Sequence, residues 1–502
     1  MNEPPMAIWK QPTTYILCAL LCVAALIRLD RITQQSLWVD EYWALYLATG
    51  RGNTIFDIPL NTLVQNPPAC NFTAAPAWWH IWTGLASTPH PPLYHLTLRA
   101  WIDLFGDSDF SIRGMSALFG LIAIPLIYHL ARALHGKLAG IVAAGMVTFA
   151  PIQIDFSQQA RPYTLLALLA LILWQALILI EQKGVSPLRL LALSLAAAGL
   201  ALTHYFAIGV IAAAALYAVI RFTPIPRRKT LIALAASVLI ALLPWAPIAW
   251  HTRHQIIIAP NYARMNVSLL AAFIDAPRKI LFGDLGAISG KIAAAIALAF
   301  LVYLSPPLRF AKVRALLAPW LWMIGGIGLL LAIDIARQSQ LVDLPRYIFI
   351  AAPAVYLILC IPWGNGPGRL LPPALLLATI LFGIDRWQSG PQFDSSTAAL
   401  ARLIQQKVGP RDAVIITGQF DSEPAFKYFS ISHYAGDWHN SILFATQPLD
   451  ESVDRQLATF PHVWVIGRDT RDMTQFLPGW TCTEYHGVSP GFALWAIRYR
   501  KI

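Results

Sequence analysis

Long apolar runs separated by short polar segments dominate the first 385 residues of the chain. Apolar runs of roughly 20 residues with few charges are typical of membrane-spanning helices. The pattern therefore predicts a mainly α-helical membrane protein with about eleven transmembrane helices. The predicted spans are residues 15–29, 114–134, 138–155, 164–180, 190–202, 207–220, 231–250, 292–304, 316–333, 348–362 and 371–384.

The first span is followed by Asp30 and Arg31 rather than by a small-residue cleavage site, so we interpret it as an anchor and not as a signal peptide. Residues 29–113 then form a long first outer loop, in which prolines and charges interrupt every apolar stretch. Its tryptophans alternate with polar residues, a pattern that favours interfacial helices. A second interfacial helix is predicted around Asp275, Arg278 and Lys279.

The pattern changes in kind after residue 385. Strand-like runs at 413–417, 442–446, 463–466 and 492–499 alternate with helix-like segments at 396–406, 423–429 and 451–460. This predicts a transmembrane module over 1–385, with 29–113 as its first extracytoplasmic loop, and a small C-terminal α/β domain over 386–502. No glycine-rich phosphate loop opens any of these helices, so nucleotide binding is not assigned.

Composition agrees with the membrane interpretation. Hydrophobic residues make up 57% of the chain and charged residues 13%, against roughly 25% charged in soluble domains. The net charge of +11 does not indicate nucleic acid, because the Lys and Arg residues lie mostly in short loops, where they set orientation and attract lipid head groups. Every second loop is basic, which predicts a multi-pass inner-membrane protein with a cytoplasmic N-terminus and an extracytoplasmic C-terminal domain.

Two adjacent carboxylates, Asp40 and Glu41, lie just beyond the first span. Ionisable groups near hydrocarbon are costly unless they are hydrated, paired or used. A structural interpretation is a cap for a helix that starts near Glu41. The predicted outer face also carries basic and aromatic residues at span ends, namely His90, Arg161, Tyr163, His204, Tyr205, Arg346 and Tyr347.

Arginine and histidine at a membrane boundary suit a lipid phosphate, because a guanidinium can bind phosphate oxygens with two hydrogen bonds. A carboxylate base beside such a site indicates group transfer from a lipid-linked donor. Each residue alone has a structural alternative: His204 as a hydrogen-bonded core histidine, and Arg161 or Arg346 as snorkelling helix-end residues. A transporter or flippase of lipid-linked sugars, and a phosphoryl or acyl transferase acting on a membrane lipid, are alternative functions.

Six motifs follow one another in the order expected for a known superfamily. They are Trp38-Val39-Asp40-Glu41, His90-Pro91-Pro92-Leu93-Tyr94, Phe105-Gly106 with Phe110-Ser111-Ile112-Arg113, Ser157-Gln158-Gln159-Ala160-Arg161-Pro162-Tyr163, Thr203-His204-Tyr205 and Pro345-Arg346-Tyr347. With them the chain resembles the C-type (GT-C) polytopic membrane glycosyltransferases, in the group of the protein O-mannosyltransferases and the lipid A aminoarabinose transferases.

The resemblance implies a GT-C fold and an inverting hexosyl- or pentosyltransferase that uses a polyprenyl-phosphate sugar donor and a lipid, glycan or protein acceptor. It makes Asp40 the catalytic base, with Glu41 beside it, and places the residue before Pro-Pro on the carrier phosphate. The aminoarabinose transferases have Lys at that position, whereas this chain has His90. No cofactor is required; a divalent metal at Asp40 and Glu41 is an alternative.

Overall fold

The computed structural model describes residues 12–52, 54–88, 90–251, 269–283, 310–361, 370–390, 396–418, 421–436, 438–467, 480–487 and 495–501. Most of this part of the chain is helical. The α-helices are α1 Pro12–Leu29, α2 Val39–Ala48, α3 His80–Gly84, α4 Leu93–Phe105, α5 Asp109–His135, α6 Lys137–Phe149, α7 Pro151–Ser157, α8 Tyr163–Lys183, α9 Pro187–Thr203, α10 Ala207–Arg221, α11 Pro224–Leu242, α12 Leu269–Phe282, α13 Phe310–Met323, α14 Leu329–Arg337, α15 Pro345–Ile348, α16 Ala352–Leu359, α17 Leu371–Ser389, α18 Thr397–Lys407, α19 Glu423–Ala435 and α20 Glu451–Leu457.

The strands are β1 Leu63–Val64, β2 Ala413–Thr417, β3 Ser441–Ala445, β4 Val463–Gly467, β5 Trp480–Gly487 and β6 Trp495–Lys501. They form one sheet in the order β1-β3-β2-β4-β6-β5. The central strand β2 pairs parallel with β3 and with β4, whereas the outer pairs are antiparallel. Every residue of β2 and β4 is buried, as expected for strands at the centre of a covered sheet.

The chain divides into two compact units. Unit 1 comprises Met1–Ile32, Thr88–Tyr94 and Ile112–Gly390, and unit 2 comprises Thr33–Ser87, His95–Ser111 and Pro391–Ile502. Most of the first loop therefore groups with the C-terminal segment. The hydrophobic pattern contained no signal for this grouping, because it records local burial and not which distant segments pack together.

Unit 1 contains the apolar helices. Among the described residues, four helices are long and apolar enough to cross a membrane, or five if the bent pair α6 and α7 forms one span. The four are Pro12–Leu29, Asp109–His135, Tyr163–Lys183 and Leu316–Arg337. Shorter apolar helices coincide with further predicted spans, and the predicted span 292–304 lies outside the described residues. The number eleven thus stays a prediction.

A buried arginine stabilises the bend between α6 and α7, which is 56°. Pro151 begins α7 and cannot donate a backbone hydrogen bond, so carbonyl groups at the end of α6 need other donors. Arg28 of α1 donates to the carbonyls of Val147 at 2.7 Å and Thr148 at 3.1 Å, and to the Ser157 hydroxyl at 3.1 Å. This one guanidinium therefore fixes both sides of the bend.

Candidate functional site

The loop between α7 and α8 carries Arg161 and is tied to the end of α1. The Gln158 side-chain amide donates to the carbonyls of Ile27, Arg28 and Asp30 at 3.0–3.2 Å. At the other end of the loop, Arg161 is buried and its guanidinium donates to the Tyr163 hydroxyl at 3.4 Å. Within this motif, Gln158 therefore anchors the loop, and Arg161 provides a buried positive charge.

His204 lies between α9 and α10, where it is partly buried. The backbone N–H of Phe206 donates to its Nδ1 at 3.2 Å, so the neutral ring carries its proton on Nε2. Burial, Arg161 and Arg346 together lower the pKa of His204 to about 4. His204 is therefore a neutral hydrogen-bonding group near two cations.

Arg346 belongs to the short helix α15 and completes this group. Its guanidinium lies 5.2 Å from the ring centre of Tyr347, whose ring in turn lies 6.0 Å from the His204 ring. Arg161, His204 and Arg346 are far apart in sequence, but both arginines act electrostatically on the same imidazole. We call these three residues the cationic cluster.

The loop that leads to Arg346 is held by buried ionic groups. Asp334 is fully buried and accepts hydrogen bonds from the Ser339 hydroxyl at 2.5 Å and from the N–H groups of Leu341 and Val342 at 2.8 and 2.9 Å. A carboxylate that receives several hydrogen bonds offsets the cost of its burial. Asp334 therefore fixes residues 339–342 as a rigid approach to α15.

A second ionic contact fixes the same loop three residues before Arg346. Lys279 of α12 donates to the Asp343 carboxylate at 2.6 Å and to the Asp343 carbonyl at 2.8 Å. In the same helix, Arg278 binds both carboxylate oxygens of Asp275 at 2.5 and 2.6 Å. The sequence pattern predicted an interfacial helix here. That stays a prediction, and the structure adds that the basic side chains of this helix are buried in internal ion pairs.

Sequence reasoning did not select Arg28, Asp334, Lys279 or Asp343 as supporting residues. Their one sequence signal is that each is an ionisable residue within or directly beside an apolar run. That signal does not identify their partners, which lie 4 to 129 residues away along the chain.

Tyr205 and His90 also lie in unit 1. The hydroxyl of Tyr205 accepts a hydrogen bond from the Trp245 indole at 3.0 Å, and burial raises the pKa of Tyr205. This contact supports a structural role for the Tyr205 hydroxyl. His90 is partly buried and lies three residues before the start of α4, next to the Pro91-Pro92 pair.

Asp40 and Glu41 lie in unit 2, in the first turn of α2, where the helix dipole stabilises negative charge. The two carboxylates differ in environment. Glu41 is fully buried and accepts a hydrogen bond from the Trp38 N–H at 3.1 Å, which caps the helix. Asp40 is partly exposed. The capping interpretation therefore has direct support for Glu41, and Asp40 is the better candidate for chemistry.

Across the described residues, no three His, Cys, Asp or Glu side chains are grouped as a metal site would require. The alternative of a divalent metal at Asp40 and Glu41 stays a prediction.

Comparison with known proteins gave matches to a family model and to solved structures. The model for dolichyl-phosphate-mannose-protein mannosyltransferases matches residues 89–251, about a third of the chain. Among curated protein sequences there is no match.

The structural matches extend over nearly the whole chain. ArnT from Cupriavidus metallidurans in the apo state aligns with a TM-score of 0.60 and 13% identity, covering 97% of each chain. The same protein bound to undecaprenyl phosphate aligns with a TM-score of 0.58 and 14% identity, covering 97% of this chain and 98% of ArnT. An oligosaccharyltransferase from Archaeoglobus fulgidus gives a TM-score of 0.49 at 13% identity, covering 95% of this chain and 72% of that one.

The ArnT matches establish the fold, and the family model adds a sequence match over α4 to α11. The chain therefore has the fold of ArnT, and its residues 89–251 match the model for dolichyl-phosphate-mannose-protein mannosyltransferases.

Proposed function

We propose that this protein is an inverting glycosyltransferase that transfers a sugar from a polyprenyl-phosphate donor to a hydroxyl acceptor at the extracytoplasmic face of the membrane. The observation that carries the proposal is the cationic cluster, in which two arginines act on one neutral histidine. Two arginines beside a neutral histidine suit a phosphate ligand, because each guanidinium can bind phosphate oxygens with two hydrogen bonds. ArnT, which shares the fold, has been solved with undecaprenyl phosphate bound.

The proposed chemistry needs one base and no acid. The acceptor oxygen bonds to the anomeric carbon on the face opposite the phosphate, and the bond from that carbon to the phosphate oxygen breaks, which inverts the configuration. Asp40 takes the hydroxyl proton, and the polyprenyl phosphate leaves as an anion. A glycosidase needs a second carboxyl group because its leaving group is a poor alkoxide. A phosphate leaves without being protonated.

We assign the phosphate to Arg161 and Arg346, which would stabilise the charge that develops as it departs. His204, neutral with a proton on Nε2, would donate a hydrogen bond without adding a third positive charge. His90 is assigned to the carrier phosphate from the motif resemblance, and Tyr163 and Tyr347 orient the arginines that they contact.

The proposal also includes the finer topology: about eleven spans, a cytoplasmic N-terminus and the C-terminal segment outside the cytoplasm. The basic loops between spans support this orientation. Labelling of cysteines introduced at Arg189 and at Glu451 with a membrane-impermeant reagent in intact cells tests it. Only the second position should react before permeabilisation.

The experiment that tests the function uses purified protein in nanodiscs with a panel of undecaprenyl-monophosphate hexoses and pentoses. Mass spectrometry follows release of undecaprenyl phosphate and a new glycosidic product in membrane extracts supplied as acceptor. We expect wild-type turnover and a loss of about 10³-fold in kcat for Asp40→Asn, within the range for removal of a general base. Normal turnover by a folded Asp40→Asn variant would refute the proposal.

The same experiment separates the alternative functions. Movement of labelled lipid across sealed vesicles without a new glycosidic bond would identify a flippase. A product that gains phosphate or an acyl group would identify a phosphoryl or acyl transferase.

A further inference from the structure

We propose that Tyr434, in the C-terminal segment, is a positioning residue for Asp40, a role that rests on the proposed function of Asp40 as base. The short segment 33–38 directly precedes α2. Ser36 and Leu37 are buried, and this segment sets where the first turn of α2 begins.

Two contacts from the C-terminal segment hold this approach to α2. The Leu37 N–H donates to the Tyr434 hydroxyl at 2.8 Å, and the Ala398 N–H donates to the Ser36 hydroxyl at 3.0 Å. Leu37 lies three residues before Asp40. A displacement of the Leu37 backbone is therefore carried directly into the turn that holds the Asp40 carboxylate.

The Tyr434 hydroxyl is itself fixed by a second partner. It donates to Asp109 Oδ2 at 2.8 Å, while His433 Nε2 lies 3.1 Å from the other oxygen of the same carboxylate. Burial, and then the nearby Asp109 carboxylate, raise the pKa of Tyr434, so the phenol keeps its proton across the physiological range. One hydroxyl thus accepts from the Leu37 backbone and donates to Asp109 at the same time.

Aromatic packing joins α2 to the helix that carries Tyr434. The ring of Tyr42 lies 6.1 Å from that of Phe429 and 6.4 Å from that of Tyr434. Trp43 contacts Phe426 with ring centres 5.3 Å apart. The packing fixes α2 against α19, and the Tyr434 hydroxyl adds a hydrogen bond at the start of α2.

We expect a displacement of Asp40 to slow sugar transfer and to leave donor binding unchanged. Displacement of a catalytic group by about 1 Å costs on the order of 10²-fold in rate, whereas donor binding through the cationic cluster of unit 1 need not change. The C-terminal segment therefore serves catalysis by holding the base, without contributing an atom to the reaction.

The test compares two tyrosines of α19. Tyr434→Phe removes the hydroxyl but keeps the ring, and leaves the Leu37 N–H without its partner. Tyr428→Phe makes the same chemical change at a buried hydroxyl that donates to the Pro68 carbonyl at 3.0 Å, away from segment 33–38. We measure kcat, the KM for the donor, and amide hydrogen exchange of peptides that cover residues 33–42.

For Tyr434→Phe we expect kcat to fall about 10- to 100-fold, the donor KM to stay within about 2-fold, and exchange in segment 33–42 to accelerate. Tyr428→Phe should leave all three near wild type. Wild-type kcat and wild-type exchange in Tyr434→Phe would overturn the inference, as would a rise in donor KM with unchanged kcat, or equal losses in both variants.

Asp40→Asn is assayed alongside, so that the two proposals fail separately. If Asp40→Asn is inactive and Tyr434→Phe is fully active, the positioning role alone is wrong. If Asp40→Asn is active, the proposed base is wrong and the positioning role is overturned with it, whereas the exchange data still show whether Tyr434 holds segment 33–42.

Discussion

The basic and the acidic candidate residues differ in how the fold positions them. In unit 1 the cationic cluster takes one residue from each of three segments that are far apart in sequence. Contacts outside the cluster hold these segments, as the Lys279–Asp343 ion pair does for the segment of Arg346. In unit 2 Asp40 and Glu41 are neighbours on one helix turn, fixed by a local cap and by Tyr434. The positions of the phosphate-binding side chains should therefore depend on the packing of unit 1. The position of the Asp40 carboxylate should depend on a few hydrogen bonds.

The largest effects should come from the cluster itself. We expect Arg161→Met and Arg346→Met each to lower kcat/KM about 10²- to 10³-fold, because each removes a preorganised donor to the departing phosphate. Arg→Lys should restore only part of the activity, since a point charge replaces a two-donor fork.

The control for this prediction is Arg189→Met. Arg189 lies in the first turn of α9 and donates to the carbonyls of Lys183 and Gly184 at the end of α8. Steady-state kinetics of the purified variants provide the measurement. If Arg189→Met lowers kcat/KM as much as the cluster variants do, the loss of activity is not specific to Arg161 and Arg346.

The next largest effect should come from loss of the Lys279–Asp343 ion pair, which holds the segment that leads to Arg346. Lys279→Met leaves the partly buried Asp343 carboxylate without this cation. Loss of one partner of a fully buried pair costs about 3–5 kcal/mol, which is the upper bound here. We expect a lower thermal unfolding midpoint in detergent and, because Asp343 lies three residues before Arg346, a raised donor KM. The exposed pair Arg455 and Glu451 provides the control: Glu451→Gln should change stability by less than about 0.5 kcal/mol.

A wild-type unfolding midpoint in Lys279→Met would show that the Lys279–Asp343 contact contributes nothing to unit 1. The Lys279→Met, Asp343→Leu double variant should recover much of the loss, since it removes the unpaired charge.

The sequence predicts those elements of the fold that depend on local burial. Apolar runs at 164–180 and 207–220 coincide with α8 and α10, and the strand-like run at 413–417 coincides with β2, because continuous burial leaves a clear pattern. It did not reveal β5, an edge strand with Thr, Glu and His among its residues, or the two-residue β1. Edge strands need no continuous apolar run.

The same limit applies to the candidate residues. Asp40, Glu41, Arg161, His204 and Arg346 stand out because each is polar at the end of an apolar run. Which of the two adjacent carboxylates caps the helix depends on the orientation of the first turn, which spacing does not fix. The partnership of Leu37 with Tyr434 joins residues 397 positions apart, and local patterns carry no information on such contacts.

Substitutions at Glu41 should have a smaller effect, and they distinguish its role from that of Asp40. Glu41→Ala should destabilise the protein by about 1–2 kcal/mol, because the partly buried Trp38 N–H loses the Glu41 carboxylate as acceptor. Glu41→Gln keeps an acceptor oxygen at the same place, so we expect near-normal stability and at least a tenth of wild-type kcat. Loss of activity in a stable Glu41→Gln variant would instead assign Glu41 to the chemistry, and kinetics with thermal unfolding decide between the two.

The smallest effect concerns the pH dependence of His204. Its pKa is about 4 in the folded protein, against about 6.5 for an unfolded histidine. The unfolded chain therefore binds more protons between these values, so the stability that His204 contributes is complete above pH 6.5 and is lost as the pH falls toward 4. We expect His204→Gln to lose about 1 kcal/mol less stability than wild type between pH 7 and 5.5. A His204→Gln curve parallel to wild type would contradict the neutral, doubly arginine-flanked imidazole on which the cationic cluster is defined.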